Sequence, residues 1–157
     1  SRFAKVLAVP SAYKTSIKTG DIVVVHHNIF RRWYNQHGEE RNSASYFSEN
    51  LYFAAPDQIY LYNQENKWHT FGDYCFVKPI KDKDQMGFIK YNNVKLKEKG
   101  LNQGDIVCYP PGLEWKFLID EELLYCIKSN YIFAKYEYKE NEVEYNPRWA
   151  KSGGRIN

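Results

Sequence analysis

The feature that most constrains the fold of this chain is a short segment that occurs twice. Residues 20–23 read Gly-Asp-Ile-Val, and residues 104–107 read the same. Each copy is followed by a second similar block, residues 49–53 in the first case and residues 121–125 in the second. An internal repeat sets the architecture of a whole chain, so we predict one small β-unit written twice. The first copy is the longer one, with extra residues between positions 26 and 48.

Composition places the chain among folded proteins. Aromatic residues make up 17% of the 157 positions, which supplies apolar area for a core. The net charge of +3 is spread along the sequence and does not favour nucleic acid as a partner. No apolar run is long enough to span a membrane, so no membrane association is expected.

The cysteines favour a reducing environment. Cys75, Cys108 and Cys126 are widely spaced, odd in number and set in strand-like runs. Buried reduced thiols explain this pattern better than a metal site or a catalytic thiol does. Reduced thiols suit an intracellular compartment, and a cytoplasmic location is therefore expected.

Short runs of β-branched and aromatic residues alternate with turns made of Gly, Pro, Asn and Asp along most of the chain. This spacing is typical of a barrel or sandwich. The one stretch of good helix formers, residues 94–99, is too short to form an independent helix. We therefore predict an all-β fold. The predicted organisation is a first copy at 1–63, a linker at 64–71, a second copy at 72–138 and a C-terminal tail at 139–157.

The order of segments in the second copy resembles that of the GroES-like co-chaperonins. An opening strand ends in Val77-Lys78-Pro79, and a Gly-led strand, the Gly-Asp turn, an acidic turn and a closing strand follow in order. The first copy is similar from position 5 onward, and the resemblance covers most of residues 4–136. It implies two tandem GroES-like small β-barrels, each partly open. It also implies a non-enzymatic protein without a cofactor, which forms homo-oligomers and caps or assists a chaperonin in protein folding.

Two departures from the family pattern bear on function. The mobile loop by which GroES-like proteins dock on the chaperonin has only the short, charged segment 80–86 at its position in the second copy. The first copy has no opening strand, so either that strand lies upstream of Ser1 or the first copy is a permanently partial barrel. The alternative function is a structural or protein-interaction module that keeps the fold without docking on a chaperonin. A tandem, shortened co-chaperonin rich in Tyr, Asn and Lys is compatible with a bacteriophage origin, in the host cytoplasm or the virion.

The extra segment of the first copy holds the densest group of candidate contact residues. Aromatic and arginine side chains are typical anchors of protein interfaces, and they also bind nucleic acid by stacking and phosphate contact. A purely structural aromatic hairpin with solvated arginines is the third interpretation. The predicted protein-interaction residues are Phe30, Arg31, Arg32, Trp33, Tyr34 and, near the C-terminus, Trp149.

Other chemistry finds little support in the sequence. His26 and His27 are expected on a strand, where neighbours point to opposite faces, and no ligand stands at a suitable spacing from them or from His37. The sequence contains no phosphate-binding loop and no hydrolase or zinc-protease motif. The acidic pairs have the neighbours of solvated turns. We therefore expect no metal, no cofactor and no catalytic residues.

Overall fold

The structure is a computed structural model that describes residues 2–137 and 142–151. Most of these residues lie in β-strands or in the turns between them, and the helices are short. The all-β class is therefore confirmed. The chain divides into two compact units after Gly72. Of the predicted tail, residues 139–141 and 152–157 lie outside the described residues, as does position 138 of the predicted second copy.

The first unit is built from antiparallel strands. In the order β1-β2-β7-β8 four of them form one sheet, and the other four form two separate hairpins, β3 with β4 and β5 with β6. Short 3₁₀ helices precede β3 (His27–Phe30) and β7 (Pro56–Gln58). The strands are β1 (Phe3–Lys5), β2 (Ile22–Val25), β3 (Arg32–Tyr34), β4 (Glu40–Asn42), β5 (Tyr46–Ser48), β6 (Leu51–Tyr52), β7 (Ile59–Gln64) and β8 (Lys67–Thr70).

The second unit has one larger antiparallel sheet, in which β9 is central. The strand order is β12-β13-β9-β10-β11-β14. The strands are β9 (Tyr74–Ile80), β10 (Lys83–Tyr91), β11 (Ile106–Cys108), β12 (Trp115–Ile119), β13 (Glu122–Lys128) and β14 (Ala134–Tyr136). In chain order, the helix α1 (Val94–Glu98) lies between β10 and β11, and the helix α2 (Arg148–Lys151) follows β14. A 3₁₀ helix (Ser129–Tyr131) precedes β14.

The Gly-Asp turn of the first unit leads into β2. Gly20 has a φ of 96°, a left-handed conformation that glycine adopts at little cost. The Gly20 N–H donates to the Val6 carbonyl (2.8 Å), and the Val6 N–H donates to the Asp21 carbonyl (2.9 Å). The Asp21 carboxylate accepts from the Lys18 N–H (2.8 Å), while the Asp21 N–H donates to the Lys18 carbonyl (3.1 Å). Glycine and aspartate are thus both required by the backbone path of this turn.

The second unit contains the same turn with the same four hydrogen bonds. Gly104 has a φ of 89°. Its N–H donates to the Ile89 carbonyl (2.9 Å), and the Ile89 N–H donates to the Asp105 carbonyl (2.9 Å). The Asp105 carboxylate accepts from the Asn102 N–H (2.8 Å), and the Asp105 N–H donates to the Asn102 carbonyl (3.1 Å). The sequence repeat therefore marks equivalent places in the two units.

The equivalence extends to the strands on either side of the turn. In the first unit β1 pairs with β2, and β2 pairs with β7, which follows a 3₁₀ helix. In the second unit β10 pairs with β11, and β11 pairs with β14, which also follows a 3₁₀ helix. Val23 of β2 faces Ala4 and Tyr62, as Val107 of β11 faces Gly87 and Lys135. The hairpin β5–β6 corresponds in chain order to β12–β13.

Several predicted features differ from the structure. The predicted linker 64–71 contains the whole of β8, which pairs with β7 through a turn whose Glu65 and Asn66 both have positive φ. β8 is therefore part of the first unit. Its sequence resembles a linker because the residues of this exposed hairpin are mostly polar. The sheets are open and not closed into barrels. The loop between β9 and β10 is shorter than the predicted segment 80–86. β10 begins at Lys83, and only Lys81 and Asp82 separate it from β9.

Candidate protein-interaction surface

The β3–β4 hairpin carries three of the predicted contact residues, and its turn is fixed by Asn35. The Asn35 side-chain oxygen accepts from the N–H groups of His37 (2.9 Å) and Glu39 (3.0 Å). Gly38 takes a φ of 75°, and its N–H donates to the Asn35 carbonyl (3.0 Å). This combination of an Asn that bonds to its own turn and a Gly in the left-handed region is typical of hairpin connections.

Arg32, Trp33 and Tyr34 form the outgoing strand of this hairpin, and all three are exposed. Tyr34 exposes 70% of its surface and Trp33 exposes 46%. Because side chains alternate along a strand, Arg32 and Tyr34 share one face and Trp33 lies on the other. Arg32 also forms an ion pair with Glu40 of β4 (3.6 Å), a solvated contact worth about 1 kcal/mol or less. The hairpin therefore presents aromatic surface on both faces.

Phe30 differs from the residues that follow it, because it packs partly against the core. It is half-buried, packs against the core cluster formed by Ile17, Val23, Val25, Ile29 and Tyr62, and meets Tyr52 edge to face with ring centroids 4.9 Å apart. The 3₁₀ helix His27–Phe30 turns its side chain inward, whereas Arg31, which ends this helix, stays exposed. The predicted run 30–34 is thus divided, with Phe30 half-buried against the core and the next four residues exposed.

A second exposed aromatic pair, which the sequence did not single out, lies on the β5–β6 hairpin. Phe47 and Phe53 expose 63% and 64% of their surfaces, and their rings meet edge to face at 5.2 Å. A polar cavity of about 240 Å³ is lined by Arg32, Glu40, Asn42, Tyr46, Glu49, Asn50 and Tyr52. In the structure β6 ends at Tyr52, so Phe53 lies outside any strand.

Trp149 lies in the second unit, on α2, with 43% of its surface exposed. The fully buried Ala150 anchors this helix. Just before it, the Asn146 side chain accepts from the Leu123 N–H (3.0 Å) and donates to the Glu121 carbonyl (3.2 Å). Trp149 and the β3–β4 hairpin therefore belong to different units.

The histidines are arranged differently from the prediction. His26 and His27 lie at the start of a 3₁₀ helix and not on a strand, so their rings stack at 4.6 Å instead of pointing apart. The His26 Nδ1 accepts from the Asn28 N–H (3.2 Å). Burial, followed by the neighbouring His27 and Arg2, lowers the pKa of His26. Among the described residues, no group of three or more His, Cys, Asp or Glu side chains is arranged to hold a metal ion.

All three cysteines are free thiols, and Cys75 and Cys126 are buried as predicted, whereas Cys108 is half-buried. Burial raises the pKa of Cys75 to about 12, and burial also raises that of Cys108. A thiol reacts as the thiolate, so neither side chain is activated for nucleophilic attack at neutral pH.

No family model, curated protein or solved structure matches this chain. Within residues 2–137 and 142–151, no helix has the length and apolarity needed to cross a membrane.

Proposed function

We propose that this chain is a non-enzymatic, cytoplasmic protein of the GroES-like co-chaperonin type, which forms homo-oligomers and assists a chaperonin. The observation that carries the proposal is the ordered set of GroES-like segments, present twice. In each unit the Gly-Asp turn makes the same four hydrogen bonds and leads into equivalent strands. On this proposal the two units are divergent copies of the GroES-like fold whose sheets are open instead of closed into barrels.

A second candidate is a protein-interaction module that keeps the GroES-like units without docking on a chaperonin through a mobile loop. The turn between β9 and β10 favours it. Ile80 pairs with Lys83, and Asp82 takes a φ of 61° to close the turn. A turn this tight holds no apolar docking segment, so a chaperonin contact would have to use another surface.

Both candidates assign partner binding to the exposed hairpin residues Arg31, Arg32, Trp33 and Tyr34. Exposed Trp, Tyr and Arg side chains are the residues most often found at the energetic centre of protein interfaces. Their aromatic rings are held by a short, ordered hairpin, which lowers the entropy lost on binding. Protein remains the expected partner class, since the charge pattern does not favour nucleic acid.

Size-exclusion chromatography with light scattering tests the proposal directly. The chain is run alone and with a chaperonin, each with and without ATP. An oligomer that co-elutes with the chaperonin only in the presence of nucleotide supports the co-chaperonin. A stable species of unchanged mass that never co-elutes would eliminate the co-chaperonin function for this chain and leave the interaction module.

The hairpin is tested by replacing Trp33 and Tyr34 with Ala. Loss of two interface anchors is expected to weaken partner binding at least tenfold, equivalent to about 1.4 kcal/mol or more. Tyr13→Ala is the matched control, because Tyr13 is another exposed aromatic residue of the first unit, with 43% of its surface accessible. Equal binding by the double variant and the control would remove the hairpin from the interface.

A further inference from the structure

The first unit holds a polar cavity between its two small hairpins, and we call this space the hairpin cavity. Across β3–β4, Arg32 faces Asn42 and Tyr34 faces Glu40. Cross-strand partners share a face, and side chains alternate along a strand. Arg32, Glu40 and Asn42 therefore project from one face of this hairpin and line one side of the cavity. The β5–β6 hairpin and its turn supply the other side, with Tyr46, Glu49, Asn50 and Tyr52.

Aromatic packing and hydrogen bonds hold the walls of the hairpin cavity in place. Tyr52 meets Tyr46 edge to face with ring centroids 5.7 Å apart, and on its other side it meets Phe30, which packs against the core cluster. In the segment that joins the hairpins, the Ser43 hydroxyl donates to the Ile29 carbonyl (2.5 Å). The Tyr46 N–H donates to the Ser43 carbonyl (3.2 Å). The cavity is thus formed before a ligand binds, which lowers the entropy lost on binding.

The charges of the lining disfavour an anion and a metal ion. One guanidinium, that of Arg32, stands against the two carboxylates of Glu40 and Glu49, and Arg32 already pairs with Glu40 (3.6 Å). A phosphate or a carboxylate would therefore meet a surplus of negative charge. Among the described residues, no three His, Cys, Asp or Glu side chains are grouped to hold a metal ion. The remaining ligand classes are uncharged polar molecules and small amines.

The side chains of the lining suit a neutral molecule that carries several hydroxyl groups. Each hydroxyl both donates and accepts a hydrogen bond, and the flat carboxamide and carboxylate groups offer two polar atoms that can bind neighbouring hydroxyls together. Asn42, Asn50 and Glu49 supply such groups, and Tyr46 and Tyr52 add phenolic hydroxyls. No aliphatic side chain lines the cavity, so an apolar ligand is poorly matched. A sugar ring carries the hydroxyl groups that this lining would bind.

The volume of the hairpin cavity limits the size of the ligand. The cavity measures about 240 Å³, which is below the range of about 300–1,000 Å³ that is typical for drug-sized ligands. A single pyranose ring with its hydroxyl groups is a ligand of this smaller class. Tyr34 pairs with Glu40 across the hairpin and exposes 70% of its surface. Its ring offers a place beside the cavity for the next sugar of a chain.

We propose that the hairpin cavity binds a neutral sugar, either as a single pyranose or as the terminal ring of a glycan. Asn42 and Glu49 are the residues assigned to bind its hydroxyl groups. Both lie outside the run 31–34 to which partner binding is assigned, so the sugar site and the protein interface can fail independently. A single ring has few atoms to contact, and the dissociation constant is therefore expected in the millimolar range.

NMR titration of the ¹⁵N-labelled full chain tests the site. The probes are the methyl glycosides of glucose, galactose, mannose and N-acetylglucosamine, each added separately at millimolar concentration. At least one of them is expected to shift the side-chain amide signals of Asn42 and Asn50, which line the cavity, and the shift should saturate. The side-chain amide of Asn102, an exposed residue of the second unit, is the internal control and is expected to stay in place.

A pair of matched variants tests the assigned contact. Glu49 is exposed, so Glu49→Ala keeps the fold, and it is expected to weaken binding of that glycoside by about tenfold or more through loss of a hydrogen bond to a charged group. Glu39→Ala is the control, because the Glu39 carboxylate bonds to Arg41 (2.7 Å) and does not line the cavity. It removes the same charge from the same unit and is expected to leave the affinity unchanged.

Three results would overturn the proposal. The first is that none of the glycosides shifts the two cavity amides, or that the Asn102 amide shifts equally. The second is equal affinity of Glu49→Ala and Glu39→Ala for the glycoside. Ethylammonium chloride, titrated in the same way, gives the third. If it shifts the amides of Asn42 and Asn50 at lower concentration than every glycoside does, the cavity binds amines and not sugars.

Discussion

Asn93 provides a quantitative test of how the second unit is held together. Its side chain is 7% exposed and makes three hydrogen bonds. It donates to the Tyr74 carbonyl (2.9 Å) and the Ser129 hydroxyl (2.6 Å), and it accepts from the Leu96 N–H (2.9 Å) as the N-cap of α1. One side chain therefore connects the start of β9, the 3₁₀ helix before β14 and α1.

The cost of Asn93→Ala follows from these contacts. Loss of an N-cap costs about 1 kcal/mol, and each of the two buried bonds to Tyr74 and Ser129 contributes about 1 kcal/mol more. The expected loss of unfolding free energy is about 3 kcal/mol. The unfolding free energy of a small protein falls by about 1–3 kcal/mol per molar urea, so the urea concentration at the unfolding midpoint is expected to fall by roughly 1–3 M.

Urea titration of the full chain, followed by circular dichroism and tryptophan fluorescence, measures this shift. Asn102→Ala is the matched control, because Asn102 is exposed and only its backbone N–H and carbonyl bond within the turn. The control is expected to change stability by less than about 0.5 kcal/mol. A shift for Asn93→Ala no larger than that of the control would refute the assigned network.

Three further predictions follow from the same contacts. Gly20→Ala and Gly104→Ala are each expected to cost about 1–2 kcal/mol, because both glycines are left-handed with open space around the missing Cβ; thermal unfolding that shows clearly unequal losses contradicts the equivalence of the turns. The pKa of His26 is lowered by folding, so its contribution to stability is present above pH 6.5 and is lost as the pH falls through its folded pKa. In urea titrations from pH 8 to 5.5, the unfolding free energy should decline less in His26→Asn than in the unchanged chain, and an identical decline in both would contradict the lowered pKa. In native protein a thiol reagent is expected to modify Cys108 before Cys75, whose pKa of about 12 and burial protect it; equal rates would contradict the described burial.

The Gly-Asp turns and the strands that follow them could be predicted from sequence because their determinants are local. A positive φ selects glycine at Gly20 and Gly104, and a short-range cap selects aspartate beside each. The repeated tetrapeptide alone therefore locates equivalent positions in the two units. Strands can also be recognised from sequence, because β-branched and aromatic runs such as β9, which is buried from Cys75 to Ile80, form the core of this fold.

Features that depend on backbone pairing could not be predicted in the same way. The polar segment that forms β8 has the composition of a linker, and only its pairing with β7 shows that it is a strand. The same limit applies to the candidate surface. The sequence placed Phe30 beside Trp33 and Tyr34, but whether a ring faces the core or solvent depends on the 3₁₀ helix that ends at Phe30. Whether Phe47 and Phe53 are exposed likewise depends on which strands pair with their hairpin, and their sequence does not specify this.

Amide exchange in the free chain tests most directly the claim that the two units share the Gly-Asp turn and the three strands around it, and that among the described residues the second unit alone pairs a further strand, β9, with the first of these three. Ala4 and Gly87 occupy equivalent positions facing β2 and β11, and both are expected to exchange slowly. Lys5 and Phe88 are also equivalent, but within residues 2–137 and 142–151 only Phe88 faces a partner strand on the side away from the Gly-Asp turn strand, at Lys78. We predict fast exchange at Lys5 and slow exchange at Phe88. Equal protection of these two amides in the free, monomeric chain would contradict the claim.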